Sequence, residues 1–80
     1  MNTEDLLKRI TIDPKLMVGK PTIRDMRITV DQILKALAGG ISADELIVDY
    51  PELEKDDIQA VLLYASERVC EERVYAVNIG

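Results

Sequence analysis

The stretch TVDQILKALAGGISADELIVDYPELEKDDIQAVLLYASERVCEER, residues 29–73, decides the fold because it holds three successive helix patterns. Thr29 with Gln32 has the spacing of a capping box, and Ser42 with Glu45 repeats it. In this motif the hydroxyl accepts a first-turn N–H, and the third residue's side chain bonds back to the cap. Each pair therefore predicts a helix start. The second and third helices together have the pattern of a helix-turn-helix.

Helix ends and buried faces also follow from this stretch. Gly39-Gly40 predicts the end of the first helix, and Tyr50-Pro51 the end of the second, because a residue before proline disfavours helical geometry. Apolar residues then recur at i, i+3, i+4 and i+7, which predicts one buried stripe per helix. The stripes are Val30, Ile33, Leu34 and Leu37; Ala43, Leu46, Ile47 and Tyr50; and Ile58, Val61, Leu62, Ala65 and Val69.

Residues 1–28 predict a small β arm ahead of the helices. Arg9-Ile10-Thr11-Ile12 and Arg27-Ile28-Thr29-Val30 both alternate polar and apolar side chains, as half-buried strands do. Thr3 is expected to cap a short helical turn before them. We therefore expect one mainly α (α+β) domain: a β arm in residues 1–28, a trihelical core in residues 29–73, and a strand or tail in residues 74–80.

Size and composition favour a protein that pairs with another chain. A domain of 80 residues buries only about 60–65% of its unfolded surface, so a lone monomer is marginally stable. The chain has no Trp or Phe, which predicts an aliphatic core. Marginal size and an aliphatic core together favour a second chain as part of the fold, so we expect a homodimer. Its one cysteine, Cys70, excludes an internal disulfide and fits a reducing compartment. No run approaches the ~20 apolar residues of a membrane span, and the N-terminus lacks a signal peptide pattern. We expect a soluble, cytoplasmic protein.

The charge is unevenly distributed along the chain. The net charge is −5, yet residues 1–35 carry seven basic and five acidic side chains, whereas the remainder carries three basic and ten acidic ones. A polyanion is therefore expected to contact the first half. Our hypothesis for nucleic-acid contact is Lys20, Arg24 and Arg27 on a dimeric β element. The alternative is that Arg24 and Arg27 pair with Asp25, Asp31 or the acids of the second half.

The third helix opens with Glu54-Lys55-Asp56-Asp57, which would repel phosphates at the usual reading position of a helix-turn-helix. We interpret Asp56 and Asp57 as favourable partners of the helix dipole. Glu52, Asp56 and Asp57 could bind a hard cation, but a solvated acidic face is the preferred interpretation. No metal site is predicted.

A second apolar row on the third helix calls for a burial partner. Ala60, Leu63, Tyr64 and Cys70 form this row, and the strands of the same chain, a second copy or another protein could cover it. Residues 74–79 are rich in β-branched side chains and could add a strand to another protein's sheet. The predicted partner or dimer interface is Leu63, Tyr64, Cys70, Arg73, Tyr75, Val77 and Ile79.

No catalytic constellation is visible in the sequence. There is no His, no Ser or Cys beside a base, no glycine-rich phosphate loop and no paired metal-ligand spacing. We expect no enzyme activity, no catalytic residue and no cofactor.

The run from Ile10 to Glu67 resembles the prokaryotic domain-of-unknown-function family 433. The motifs that carry the resemblance are Gly19-Lys20-Pro21, Arg24 with Arg27-Ile28, Gly40-Ile41-Ser42, Tyr50-Pro51 with Leu53, and Asp57-Ile58 leading to Tyr64-Ala65. The family usually has Gly-Thr where this chain has Asp25-Met26, and Thr where it has Glu54. Because aspartate tolerates a left-handed backbone, the turn at Asp25 is expected to survive.

This resemblance implies a homeodomain-like trihelical fold and an antitoxin. Members look like antitoxins of toxin–antitoxin operons, often beside a PIN-like ribonuclease. The expected function is to bind and neutralise such a ribonuclease through the C-terminal segment, with Arg68 and Arg73 facing its metal site, and to repress its own operon by binding operator DNA. The alternatives are a stand-alone DNA-binding regulator, and a structural dimerisation or adaptor module that binds no nucleic acid.

Overall fold

The computed structural model describes residues 1–71, which fold mainly as helices with a small antiparallel sheet. The elements in chain order are α1 (Thr3–Leu7), β1 (Ile10–Thr11), a short 3-10 turn (Met17–Gly19), β2 (Thr22–Ile23), α2 (Val30–Ala38), α3 (Ala43–Asp49) and α4 (Lys55–Glu71). The expected mainly α, α+β class and the three successive helices are confirmed. The strand or tail predicted for residues 74–80 lies outside the described residues.

The helix caps agree in part with the sequence pattern. The capping box of Ser42 and Glu45 is complete, with both reciprocal hydrogen bonds formed. Thr29 accepts the Gln32 N–H as expected, but the Gln32 side chain instead donates to Tyr50 Oη at 2.9 Å. The capping box of Thr29 and Gln32 is therefore only half formed. The predicted cap of α1 was also wrong, since the Asn2 side chain takes this role.

The strand predicted at residues 27–30 was wrong. β1 instead pairs with β2, with Ile10 opposite Ile23, and the later segment contributes only a single bridge between Thr22 and Thr29. The reason is that Thr29 is already the N-cap of α2, so the chain turns helical before a strand can extend.

A tight turn follows β2 at the position where the family pattern has Gly-Thr. Arg24 and Asp25 have φ values of 47° and 60°, and the Met26 N–H donates to the Ile23 carbonyl at 2.8 Å. Positive φ at both central residues is the pattern of a type I′ turn. The expectation that Asp25 preserves this turn is confirmed.

The aliphatic core lies where the helices meet β2. Its buried apolar side chains are Ile23, Ile28, Val30, Ile33, Leu46, Leu53, Ile58 and Val61. The stripe predicted for α4 is correct for its first half only, because Leu62 and Val69 are 50% and 61% exposed while Ala60 is fully buried. The cause is that α1 and β1 also pack against α4, so its buried face is rotated away from the predicted stripe.

Candidate functional site

The best-connected polar group in the structure is the carboxylate of Asp57, which is fully buried in the first turn of α4. Arg24 donates two hydrogen bonds to this carboxylate, from Nε to Oδ1 at 3.0 Å and from Nη2 to Oδ2 at 2.7 Å. Arg9 Nη1 donates to Oδ1 at 2.9 Å, and the Glu54 amide donates to Oδ2 at 2.8 Å. Four donors thus saturate the carboxylate. We call Arg9, Arg24 and Asp57 the arginine clamp.

The arginine clamp fixes the ionised form of Asp57. Burial of the carboxylate favours the neutral acid, but hydrogen bonds from Arg24, the Glu54 amide and Arg9 outweigh burial and lower the pKa of Asp57 below its ordinary value. Each arginine has a second acceptor, since Arg9 donates to Glu54 Oε1 at 2.7 Å and Arg24 to the Glu52 carbonyl at 2.7 Å. The clamp therefore binds both ends of the N-terminal β element to the start of α4.

This geometry places Arg24 among the acids of the second half, as the ion-pairing alternative expected. Arg24 is engaged by Asp57, which leaves Lys20 and Arg27 as the members of the nucleic-acid hypothesis without an ion pair within residues 1–71. The sequence did not reveal that Asp57 binds two arginines. It predicted only a favourable interaction of Asp57 with the helix dipole. No local spacing could reveal partners that lie 33 and 48 residues away.

Lys20 and Arg27 lie together in a cleft of about 470 Å³ beside the 3-10 turn. We call this feature the basic cleft; it is lined by Lys15, Met17, Val18, Lys20, Arg27 and Thr29. Its three cationic side chains are exposed, and none forms an ion pair with the part of the chain that the structure describes. Three unneutralised cations around one concavity give the basic cleft a positive potential.

The backbone at the rim of the basic cleft is left-handed over three consecutive residues. Met17, Val18 and Gly19 have φ values of 51°, 57° and 76°. Glycine adopts this region freely, but a β-branched valine does so only at a cost in strain. Val18 is nonetheless 95% exposed, so its side chain gains almost nothing from its own chain.

The predicted partner interface is described only in part. Tyr64 is half-buried and lines a groove of about 270 Å³ between α4 and the α1–β1 segment, together with Leu7, Ile10, Ile12, Glu67 and Arg68. Leu63 is half-buried and Cys70 is exposed. The other predicted interface residues, Arg73, Tyr75, Val77 and Ile79, lie outside the described residues.

The acids at the start of α4 face arginines. Arg9, Arg24 and the Glu54 amide saturate Asp57, as described above. Asp56 Oδ2 lies 3.8 Å from Arg9 Nη2. Across residues 1–71, no group of three or more His, Cys, Asp or Glu side chains is placed to hold a metal ion. No helix in that range is long and apolar enough to cross a membrane.

Comparison with known proteins places the chain in a family. Residues 10–65 match the model of a protein family of unknown function, DUF433, and the chain belongs to this family. The matched residues run from β1 to the middle of α4, and so include the basic cleft and most of the arginine clamp. No curated protein and no solved structure matches the chain.

Proposed function

We propose that this protein is an antitoxin of a type II toxin–antitoxin pair, which binds and neutralises a PIN-like ribonuclease and has no catalytic activity of its own. The observation that carries the proposal is the second half of α4. Val61 is the last fully buried residue of this helix and Tyr64 still packs partly against the core, yet the helix continues to Glu71 with Leu62, Val69 and Cys70 exposed. An apolar helix face without a covering element is typical of a surface that binds another protein.

The groove beside Tyr64 is a second, partly apolar surface, on a different side of α4 from Leu62 and Val69. Leu7, Ile10 and Ile12 provide an apolar wall next to α4, and Ile12 is itself exposed. A partner that wraps around the distal part of α4 would bury apolar side chains of both surfaces. Recognition of an amphipathic helix in a groove needs anchors of this kind on one face.

The proposal is tested by co-expression with the open reading frame next to this gene. We expect that frame to encode a PIN-like ribonuclease that arrests growth alone and co-purifies with this chain. Val69→Asp should break the complex and restore growth arrest. The control is Gln59→Asp, which introduces the same charge at an exposed position in the first half of α4. Equal behaviour of both variants, or no complex with the wild-type chain, would overturn the proposal.

A shortened chain ending at Glu72 separates the contribution of the last eight residues from that of α4. If the tail supplies the neutralising contact, this chain should still fold but should fail to protect cells from the ribonuclease. Protection by the shortened chain would leave neutralisation to α4 and its groove.

Repression of its own operon is a second candidate function, and the basic cleft is the observation that favours it. Lys15, Lys20 and Arg27 could neutralise phosphates, whereas the acidic start of α4 could not. We expect the double variant Lys20→Ala with Arg27→Ala to bind upstream duplex DNA with a weaker salt dependence. The plot of the logarithm of the binding constant against the logarithm of the salt concentration should be less steep by about 2, since each phosphate contact contributes about 0.9. An unchanged affinity and slope would remove operator binding at this cleft.

A further inference from the structure

A second concave surface has the opposite character to the basic cleft. It is a depression of about 400 Å³ on the outer side of α3, lined by Ile41, Asp44, Glu45, Val48 and Asp49. We call it the acidic pocket. Val48 is 77% exposed and Ile41 is also exposed, so apolar carbon at its centre is left open to water.

The carboxylates around the acidic pocket have only weak or local partners. Asp44 faces Lys55 at 3.4 Å in an exposed ion pair, and Glu45 accepts the Ser42 N–H of the capping box. Asp49 forms no ion pair with any described residue. Exposed pairs of this kind are weak, so the rim keeps most of its negative potential.

The two surfaces match in both charge and hydrophobicity. The basic cleft carries one fully exposed apolar side chain, Val18, among three cations. The acidic pocket carries an apolar floor of Ile41 and Val48 among three carboxylates. The two surfaces thus carry opposite charges around apolar side chains that can pack together, as complementary protein interfaces do.

We propose that the basic cleft of one copy docks onto the acidic pocket of a second copy. Val18 packs against Ile41 and Val48 of the other copy, while Lys15, Lys20 and Arg27 face Asp44, Glu45 and Asp49. This contact gives the strained Val18 the burial that its own chain does not provide. Because the two surfaces differ, the contact is head-to-tail, and repetition closes a ring or extends a chain of copies.

The observations favour a second copy over a nucleic acid as the occupant of the basic cleft. The phosphates of a nucleic acid, which the three cations would contact, cannot cover Val18, whereas the acidic pocket offers Ile41 and Val48. The chain also carries a net charge of −5, which opposes close approach to a polyanion. Opposite charges on two separate faces of one chain instead favour association between copies.

The experiment is sedimentation velocity on the full chain, from dilute to near-millimolar protein, at about 50 mM and about 500 mM salt. We expect self-association that weakens at the higher salt. Lys20→Glu with Arg27→Glu should weaken it at least about tenfold, and so should Asp44→Lys with Asp49→Lys, because attraction becomes repulsion. An equal mixture of these two double variants should associate again. The unchanged basic cleft of one variant can then bind the unchanged acidic pocket of the other.

Two controls keep the outcome decisive. Lys8→Glu with Lys35→Glu changes the net charge as much as the basic-cleft variant but lies on neither surface, so it should associate like the wild type. Circular dichroism melting checks that every variant is folded.

A monomer at all concentrations, or a mixture that stays monomeric, would overturn the proposal. So would short duplex DNA binding at Lys20 and Arg27 without self-association. None of these results depends on whether a ribonuclease binds α4.

Discussion

Arg24 holds Asp57 through two parallel hydrogen bonds, with Nε on Oδ1 at 3.0 Å and Nη2 on Oδ2 at 2.7 Å. The arginine lies in a tight turn after β2, and the aspartate lies in the first turn of α4. A paired fork of this kind fixes both the distance and the relative orientation of its two partners. The turn and the helix are therefore positioned by one contact.

Replacing Asp57 by Asn should destabilise the fold. The neutral amide accepts fewer hydrogen bonds and leaves two guanidinium groups without their shared anion. We expect a loss of about 2–3 kcal/mol in the free energy of unfolding, below the ~3–5 kcal/mol of a fully buried pair, because both arginines keep some solvent contact. Urea denaturation at neutral pH measures it. Asp56→Asn, at an exposed carboxylate, is the matched control and should cost less than about 0.5 kcal/mol.

The arginine clamp also predicts how stability depends on pH. The pKa of Asp57 is lower in the folded chain than in the unfolded chain, where an aspartate has a pKa of about 3.9. The folded state therefore binds fewer protons, and the contribution of the clamp is present above about pH 5 and is lost as the pH falls through the folded pKa. We expect the wild type to lose more stability than Asp57→Asn between about pH 5 and pH 3. Parallel pH profiles would contradict this assignment.

Val18→Gly should raise stability while it removes an exposed side chain. A valine at φ 57° carries strain of about 1–2 kcal/mol, and glycine relieves it at an entropic cost of about 0.5–1 kcal/mol. A net gain of up to about 1 kcal/mol should appear as a higher melting temperature. The same variant should self-associate more weakly than the wild type.

Gly40→Ala makes the opposite change at a second left-handed position and serves as the counterpart. Gly40 has φ 97°, and a Cβ placed there meets no atom within 4 Å. Its cost is therefore conformational, and we expect a loss of about 1–2 kcal/mol. If Gly40→Ala proved neutral or Val18→Gly destabilising, backbone strain would not govern these two turns.

Ser42→Ala should destabilise α3 by about 1 kcal/mol, because the Glu45 N–H loses its acceptor at the start of the helix. Ser66 supplies a control within α4, where its hydroxyl donates to the Leu63 carbonyl and caps nothing. Ser66→Ala should change the free energy of unfolding by less than about 0.5 kcal/mol, since such a bond adds little to a helix. Thermal melts followed at 222 nm compare the two.

Local patterns in the sequence predicted what depends on local physics. The capping box at Ser42, the helix stop at Gly39-Gly40 and the left-handed turn at Asp25 are each set within four or five residues, and all are present. The positions of α2, α3 and α4 follow from the same signals.

Long-range contacts decided the features that the sequence did not reveal. The face that α4 buries depends on how α1 and β1 pack against it, which the spacing of Leu62 and Val69 cannot encode. The arginine clamp joins residues with no periodic relation. The basic cleft was anticipated in part through Lys20 and Arg27, but the contribution of Val18 depends on a backbone conformation that its residue type disfavours.

The sequence separations within the arginine clamp bear on how the chain folds. Arg9 and Asp57 are 48 residues apart, and Arg24 and Asp57 are 33 apart, so two long loops must close before the carboxylate is neutralised. The three helices can form early from neighbouring residues, whereas these ion pairs assemble only once the N-terminal segment has returned across the bundle. We therefore expect the arginine clamp to form late in folding, and in a nascent chain that still lacks α4 the Arg9 and Arg24 guanidinium groups have no Asp57 carboxylate to bind.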